Sequence, residues 1–290
     1  MSFIKENNYN LKPLTYVKIG GVAKAAFFPI DKEGVSDVFK LVKKERSKFF
    51  ILGGASNVVI RDGFIDYDVI ISNRLVSFFV DKNILFCESG LSTERACEIA
   101  LDNGLSGLEF LYGLPGSIGG AVFMNARSYG FSISDVVKSV EVYDYEKDVF
   151  LTLSKEDCDF DYKRSIFQKK PYFIYRVALN LKPKNYEDIK TKMFSFKEDR
   201  NKKGQYIFPS AGCAFKNNYS LGTPSGKLID ELGLKGISFG GIKVYEKHAN
   251  FLVNIGNASF DDYKKAVDYI KSLIKEKKGV ELECEVVFLP

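Results

Sequence analysis

Gly113-Leu114-Pro115-Gly116-Ser117-Ile118-Gly119-Gly120 is the stretch on which the reading of this chain depends. Four of its eight residues are glycine, and Pro115 stands where it can open a helix whose N-terminus attracts an anion. Met124-Asn125-Ala126 follows at roughly helical distance. An earlier glycine turn, Gly53-Gly54-Ala55-Ser56-Asn57, comes directly after Phe49-Phe50-Ile51-Leu52, which reads as a buried strand, and before the apolar Val58-Val59-Ile60. Glycine lets backbone N–H groups approach phosphate oxygens without a Cβ in the way, and Ser56 and Asn57 can add side-chain hydrogen bonds. Either turn alone reads equally as a tight strand connection. Two in one chain leave a diphosphate site and a pair of plain turns as even alternatives.

The spacing narrows the ligand. G-x-x-G-x-x-G-G is not the G-x-G-x-x-G of a Rossmann unit. Gly222-Thr223-Pro224-Ser225-Gly226-Lys227-Leu228 lacks one spacer and the magnesium-binding hydroxyl of a P-loop, so it reads as a helix start and an ATPase is disfavoured.

Working outward, Asp31–Ser47 is expected to be an amphipathic helix with Val35, Val38, Phe39 and Val42 on one face, and Val69-Ile70-Ile71 a strand. A second block starts near Leu85, with a helix over Thr93–Asn103 closed by Gly104. Val140–Asp144 and Val149–Leu153 pattern as a hairpin through Glu146-Lys147-Asp148, and Phe173–Leu181 as a further strand. Lys184–Gly204 reads as a lysine-rich helical connector. The third block has a short helix over Ser225–Leu232 stopped by Gly233, and strands near Ala249–Ile255. Its long helix runs over Phe260–Lys277, with a capping box from Ser259 to Asp262 and a stripe of Tyr263, Ala266, Val267, Ile270 and Ile274. A closing strand over Val280–Phe288 is expected to bury Val280, Leu282, Cys284, Val286 and Phe288, with Glu281, Glu283 and Glu285 opposite. The fold class is α+β, in blocks 1–75, 76–195 and 196–290.

Composition sets function classes aside. A chain of 290 residues, 46% apolar and 27% charged, is long enough for two or three packed domains and is neither disordered nor membrane-embedded. No run suits a spanning helix, and the N-terminus lacks a secretory pattern, so a cytoplasmic protein without membrane insertion is expected. Five scattered cysteines and one histidine argue against a metal site or disulfide framework. The net charge of +5 is mild and interleaved with acids, which disfavours nucleic acid but suits a doubly charged ligand.

Candidate chemistry lies elsewhere in the chain. Cys213, in Pro209-Ser210-Ala211-Gly212-Cys213-Ala214-Phe215-Lys216-Asn217 after the strand-like Tyr206-Ile207-Phe208, is either a packed core thiol or a proton donor among small residues. Each of the three C-terminal glutamates is by default a solvated strand position. His248 has neither a serine–acid arrangement nor a second histidine, and reads as a structural or substrate-contact residue.

The ordered set resembles the UDP-N-acetylenolpyruvoylglucosamine reductase (MurB) family. The matching stretches are Thr15–Gly21, Ile51–Asn57, Gly104–Ala126, Pro209–Cys213, Gly226–Asp230, Glu246–Phe251 and Glu285-Val286, and they span nearly the whole chain. The resemblance implies an FAD-binding fold of the vanillyl-alcohol-oxidase (PCMH) type in the first two blocks and a C-terminal α+β substrate domain. It implies noncovalent FAD held by Gly53, Gly54, Ala55, Ser56, Asn57, Gly113, Pro115, Gly116, Ser117, Gly119, Gly120, Asn125 and Ala126. Ala55 and Ser56 stand where covalent relatives often carry histidine. NADPH is the implied hydride donor and UDP-N-acetylglucosamine enolpyruvate the substrate, contacted by Tyr162, Lys216, Asn217, Lys227 and His248 of a monomer. Cys213 would then donate the proton, and Glu285 orient or protonate the enol intermediate. The family's Tyr-Arg-x-Ser appears here as Tyr162-Lys163-Arg164-Ser165, so either Lys163 or Arg164 takes the arginine's role. The short Gly222–Gly226 connection resembles the branch without a substrate-covering tyrosine loop.

Overall fold

The computed structural model describes residues 2–218 and 222–290. Two compact units emerge, each assembled from three chain segments. One holds the chain up to Asn8, Lys24–Gly54 and Asp66–Asp199; the other holds Tyr9–Ala23, Ala55–Ile65 and Arg200–Pro290.

In the first unit, helix α1 (Lys32–Lys44) begins where Asp31 accepts a hydrogen bond from the Gly34 N–H at 2.7 Å, and it buries the expected Val35, Val38, Phe39 and Val42. Lys43 and Lys44 occupy its last turn, where they face the negative end of the helix dipole. Its apolar face shares a core with Ala25, Phe27 and Ile70 of one sheet and Tyr143, Phe173 and Tyr175 of another. The first sheet is ordered Phe3–Asn10, Val22–Pro29, Phe64–Ile71, Phe49–Leu52, the last two strands parallel with Phe49 opposite Asp68. Phe49–Leu52 is half-buried rather than fully buried, Leu52 alone being inaccessible.

The second sheet is antiparallel throughout and ordered Val149–Ser154, Val137–Asp144, Tyr172–Asn180, Ile84–Glu88, Phe78–Asp81. Its expected hairpin forms with Val140 opposite Leu153, because the Asp144 carboxylate accepts from the Glu146 and Lys147 N–H groups at 3.1 and 3.0 Å. Helix α2 (Thr93–Asp102) is capped by Ser92 and ends before Gly104, whose φ of +63° is the left-handed turn expected there. Helix α3 (Ile118–Phe123) is a short element after the second glycine turn, and α4 (Tyr186–Lys202) is the lysine-rich connector.

In the second unit, Ser210–Cys213, Phe251–Asn254, Ile242–Val244 and Ser238–Phe239 form an antiparallel sheet in that order. Helix α5 (Ser225–Glu231) stops ahead of Gly233, at φ +67°. Helix α6 (Phe260–Lys278) has the capping box read from the sequence. Ser259 accepts from the Asp262 N–H at 3.1 Å and Asp262 accepts from the Ser259 N–H at 3.0 Å. Tyr263, Ala266, Val267, Ile270 and Ile274 are all buried.

Two expectations fail here. The closing strand is only Val287–Leu289, paired in parallel with Val58–Ile60; ahead of it the chain makes a single bridge from Cys284 to Phe215. Leu282 and Val286 are buried, but Val280, Cys284 and Phe288 only partly, so alternation survives without a continuous ladder. Tyr206-Ile207-Phe208 is turn, not strand, with Tyr206 and Ile207 45% and 58% exposed.

Ser259→Ala removes one donor–acceptor pair of the α6 cap and is expected to lower the unfolding free energy by about 1 kcal/mol. Urea denaturation measures this; an unchanged midpoint would mean that the cap does not hold the helix start.

Candidate active site

Helix α3 opens on Ser117, not on Pro115, which lies outside it two residues before the cap. The Ser117 hydroxyl accepts from the Gly120 N–H at 3.3 Å and from the Gly54 N–H at 3.1 Å, joining the two glycine turns. Thr93 fixes the turn from behind: its hydroxyl donates to the Leu114 carbonyl at 2.5 Å and its N–H to that of Gly116 at 3.2 Å. The glycines are required by close backbone approach. A Cβ on Gly54 would lie 2.6 Å from the Gly116 Cα, one on Gly53 2.8 Å from the Ser117 Oγ, and one on Gly119 2.6 Å from the Ser89 Cβ. Gly53, Gly54, Gly113, Pro115, Gly116 and Gly120 stay half-buried, so a rim of peptide backbone with few side chains faces outward. Such a rim, ending on a capped helix, fits a dinucleotide diphosphate.

Asn125, buried and at φ +43°, spends both ends of its amide on the protein: Nδ2 donates to the Asp161 carbonyl at 2.8 Å and Oδ1 accepts from the Ser134 N–H at 3.3 Å. The Ala126 N–H closes α3 on the Ala121 carbonyl at 2.8 Å. Asn125 thereby anchors the Asp161–Ser165 loop, where Asp161 and Arg164 exchange backbone hydrogen bonds and the Ser165 hydroxyl donates to the Phe123 carbonyl at 2.7 Å. Tyr162 and Lys163 are half-buried, and Lys163 is held at φ +55°. Arg164 is exposed, its guanidinium 3.4 Å from the Asp161 carboxylate and 3.8 Å from that of Asp159.

The remainder of the first glycine turn belongs to the second unit. Ala55 is left-handed at φ +49° and its carbonyl accepts from the Tyr16 N–H at 3.3 Å; Ser56 is half-buried. Asn57 is tied to the C-terminal segment, its Nδ2 donating to the Glu285 carbonyl at 3.0 Å and its carbonyl accepting from the Val287 N–H at 3.0 Å. The Glu285 N–H in turn donates to the Ala214 carbonyl at 2.8 Å, which brings the Cys213 loop and Glu285 onto adjacent backbone. Among the three glutamates the structure separates roles. Glu281 and Glu283 are exposed and paired with Lys275 and Lys216 at 2.6 and 2.5 Å, whereas Glu285 is half-buried.

Buried Asn250 organises this site, a role that sequence reasoning missed although the residue sat in the quoted Glu246–Phe251 stretch. Its Oδ1 accepts from the Phe215 N–H at 3.0 Å, its Nδ2 donates to the Phe215 carbonyl at 2.8 Å, and its own carbonyl accepts from the Ala214 N–H at 2.8 Å. The signal was an asparagine between the apolar Ala249 and Phe251. Asn217 accepts from the Ser225 N–H at 3.0 Å, and Lys227 is exposed on α5. His248 is half-buried, its ring 4.5 Å from that of Phe251 and its Nδ1 without a hydrogen-bond partner among the described residues; burial lowers its pKa and keeps it neutral. Burial also pushes the Cys87 and Cys158 thiols up to about 12 and that of Cys97 well above its ordinary value, leaving Cys213 and Cys284 as the half-exposed thiols.

The bare-backbone rim of the first unit suits a diphosphate, as a dinucleotide-dependent enzyme would need, and the second unit carries a thiol beside a carboxylate-bearing segment. Residues 23–152 match the FAD binding domain, which makes the chain a flavin-dependent oxidoreductase. Residues 202–289 match the UDP-N-acetylenolpyruvoylglucosamine reductase C-terminal domain. The reductase of Borrelia garinii is 42% identical over 99% of this chain and 94% of its own length, and that of Caldanaerobacter subterraneus 39% identical over 96% and 91%. The crystal structure of the MurB reductase from Thermus caldophilus superposes with a TM-score of 0.82 at 30% identity, covering 99% of both chains. The chain belongs to the UDP-N-acetylenolpyruvoylglucosamine reductase family.

Two outcomes follow from this geometry. Gly54→Ala drives a methyl group into Gly116 and is expected to lower the thermal midpoint by several degrees and to deplete bound flavin, both read on the purified protein. Wild-type melting and flavin content would mean that the turns can part without cost. His248 is neutral when folded and charges near pH 6.5 when unfolded, so its contribution is complete above that value and is lost as pH falls below it. In His248→Gln the decline of stability between about pH 6.5 and 5 should be shallower than in the parent, by denaturant titration at each pH.

Proposed function

We infer that this chain reduces UDP-N-acetylglucosamine enolpyruvate to UDP-N-acetylmuramate in the cytoplasm, a step of peptidoglycan precursor synthesis, with NADPH as hydride donor. The observation that carries the reading is the joining of Cys213 and Glu285 through the Ala214 carbonyl, in a chain that matches these reductases from end to end. The blocks 1–75 and 76–195 are assigned to the cofactor and 196–290 to the substrate. Noncovalent FAD, when bound, supplies the relay of hydride from NADPH to C3 of the enolpyruvyl group. The glycine rim of Gly53, Gly54, Gly113, Gly116 and Gly120 would hold its diphosphate through backbone dipoles.

Hydride arriving at C3 leaves negative charge on C2 and the adjacent carboxylate, and a proton must be delivered to C2. The Cys213 thiol gives it, the S–H bond breaking as C2–H forms. Glu285 orients the enol from the neighbouring segment. Lys163 supplies the cation at the carboxylate, a reading supported by the pairing of Arg164 with Asp159 and Asp161 and by the lesser exposure of Lys163. An ammonium in this role acts as a point charge rather than a bidentate fork.

Under anaerobic conditions Cys213→Ala is expected to be reduced by NADPH at the parent rate but reoxidised by the enolpyruvyl substrate at least about a hundredfold more slowly, with Cys213→Ser recovering part of the loss. Flavin absorbance in a stopped-flow instrument resolves the two half-reactions; unchanged reoxidation removes Cys213 as donor. Lys163→Met should slow reoxidation more than Arg164→Met, and the reverse order would move the cation to Arg164.

A further inference from the structure

Asn254 closes the strand Phe251–Asn254 and ties three loops of the second unit to one another. It is 7% exposed. Its N–H donates to the Pro209 carbonyl at 2.8 Å and its Nδ2 to the Val17 carbonyl at 2.9 Å, while its Oδ1 accepts from the Gly256 and Ala258 N–H groups at 2.9 and 3.4 Å. The loop that carries Val17 is closed on itself as well: the Leu14 N–H donates to the Leu11 carbonyl at 3.0 Å, and the Thr15 hydroxyl to the Ile19 carbonyl at 2.8 Å. Between these loops lies an open cleft of about 400 Å³, and all of its lining belongs to the second unit. Its walls are therefore set by backbone that Asn254 fastens, not by the chance placement of surface side chains.

The lining divides by chemistry. Lys12 and Lys18 are exposed cations, the Lys18 ammonium donating to the Pro13 carbonyl at 2.7 Å, and neither is paired with a carboxylate among the described residues. No acid lines the cleft. Elsewhere in the same unit Lys216, Lys235, Lys243, Lys264 and Lys275 each pair with a carboxylate within 3 Å. Phe208, Pro209 and Ile255 make up an apolar part, Ile255 being 42% exposed, and Asn257 adds an amide with no partner among the described residues. Two uncompensated ammonium groups at a concave surface draw an anion, and lysine binds phosphate as a point charge. A bare phosphate would occupy little of a cleft of this size and leave its apolar part in water.

We propose that this cleft binds a nucleoside phosphate, with the phosphoryl group held by Lys12 and Lys18 and the base laid on Phe208, Pro209 and Ile255. Asn257 is left to hydrogen-bond the sugar or the base edge. None of the lining residues is assigned to flavin, proton delivery or the enolpyruvyl substrate, so the site is additional to the one proposed for the reaction. The cleft sits at the Pro209–Asn254 end of the strand pair whose other end carries Cys213 opposite Phe251.

Lysine acetylation by sulfosuccinimidyl acetate, followed peptide by peptide by mass spectrometry on the flavin-loaded full chain at low salt, reads the site without recourse to activity. Millimolar AMP should slow acetylation of Lys12 and Lys18 at least about threefold, leave exposed Lys24 unchanged, and lose its effect at about 0.5 M NaCl. Inorganic pyrophosphate should protect less than AMP, and adenosine less than either. Equal acetylation of Lys12 and Lys18 with and without AMP overturns the proposal. Protection by pyrophosphate as strong as that by AMP also overturns it, because the apolar lining is then unused. In Lys12→Gln the protection of Lys18 should fall away; protection that persists there means that AMP acts from another site, and the proposal fails.

Discussion

The contact on which the first unit depends is the meeting of two glycine turns through one hydroxyl. Ser117 receives an N–H from its own helix and another from Gly54, and no side chain fits between the backbones it joins. That contact serves two ends. It locks a strand connection from early in the chain onto the start of α3, and it leaves peptide groups rather than side chains at the rim. A diphosphate bound there, as proposed, would need donors at close range and no bulk in front of them, so packing and that ligand would select the same residue type.

The second unit solves a different problem with the same economy. A thiol and a carboxylate distant in sequence must stand on neighbouring backbone without a continuous sheet to hold them. Asn250 does this by occupying the N–H and carbonyl of Phe215, while Ala214 exchanges bonds with Asn250 on one side and Glu285 on the other. A complete ladder over 280–288 would have fixed all three glutamates on one face with equal exposure. The broken segment instead lets Glu281 and Glu283 stay exposed and pair with Lys275 and Lys216 while Glu285 is half-buried.

What could be read from the chain tracks which constraints are local. The stripes of α1 and α6, the capping box at Ser259 and the hairpin through Glu146-Lys147-Asp148 are decided within a few residues, and each lies where its pattern put it. The strands Phe3–Asn10 and Val22–Pro29 passed unnoticed because the first is almost wholly exposed and the second almost wholly buried, so neither alternates. Pro115 misled for a related reason. It fits the first turn of a helix by itself, but a cap is chosen by what its side chain can accept, and Ser117 can bond both Gly120 and Gly54. Glycine pairs gave away the turns, but not that the turns touch. The family resemblance supplied the functional vocabulary; it could not say which of two adjacent cations occupies the arginine's place.

Backbone geometry bears on that choice. A left-handed lysine is disfavoured by about 1–2 kcal/mol relative to glycine, so Lys163 holds φ +55° because the surrounding structure imposes it. The restraints are visible on both sides: Asn125 grips the Asp161 carbonyl, Asp161 and Arg164 bond each other's backbone, and Ser165 is fastened to Phe123. Arg164 closes this turn and spends its charge on the two aspartates beside it. Shifting the register by one residue to bring Arg164 inward would break the Asp161–Arg164 exchange and separate the guanidinium from both carboxylates, leaving Asp159 to Lys169 alone. The left-handed backbone at Lys163 and the pairing at Arg164 are thus two results of one turn, which supports the proposal that Lys163 rather than Arg164 is the cation at the substrate carboxylate.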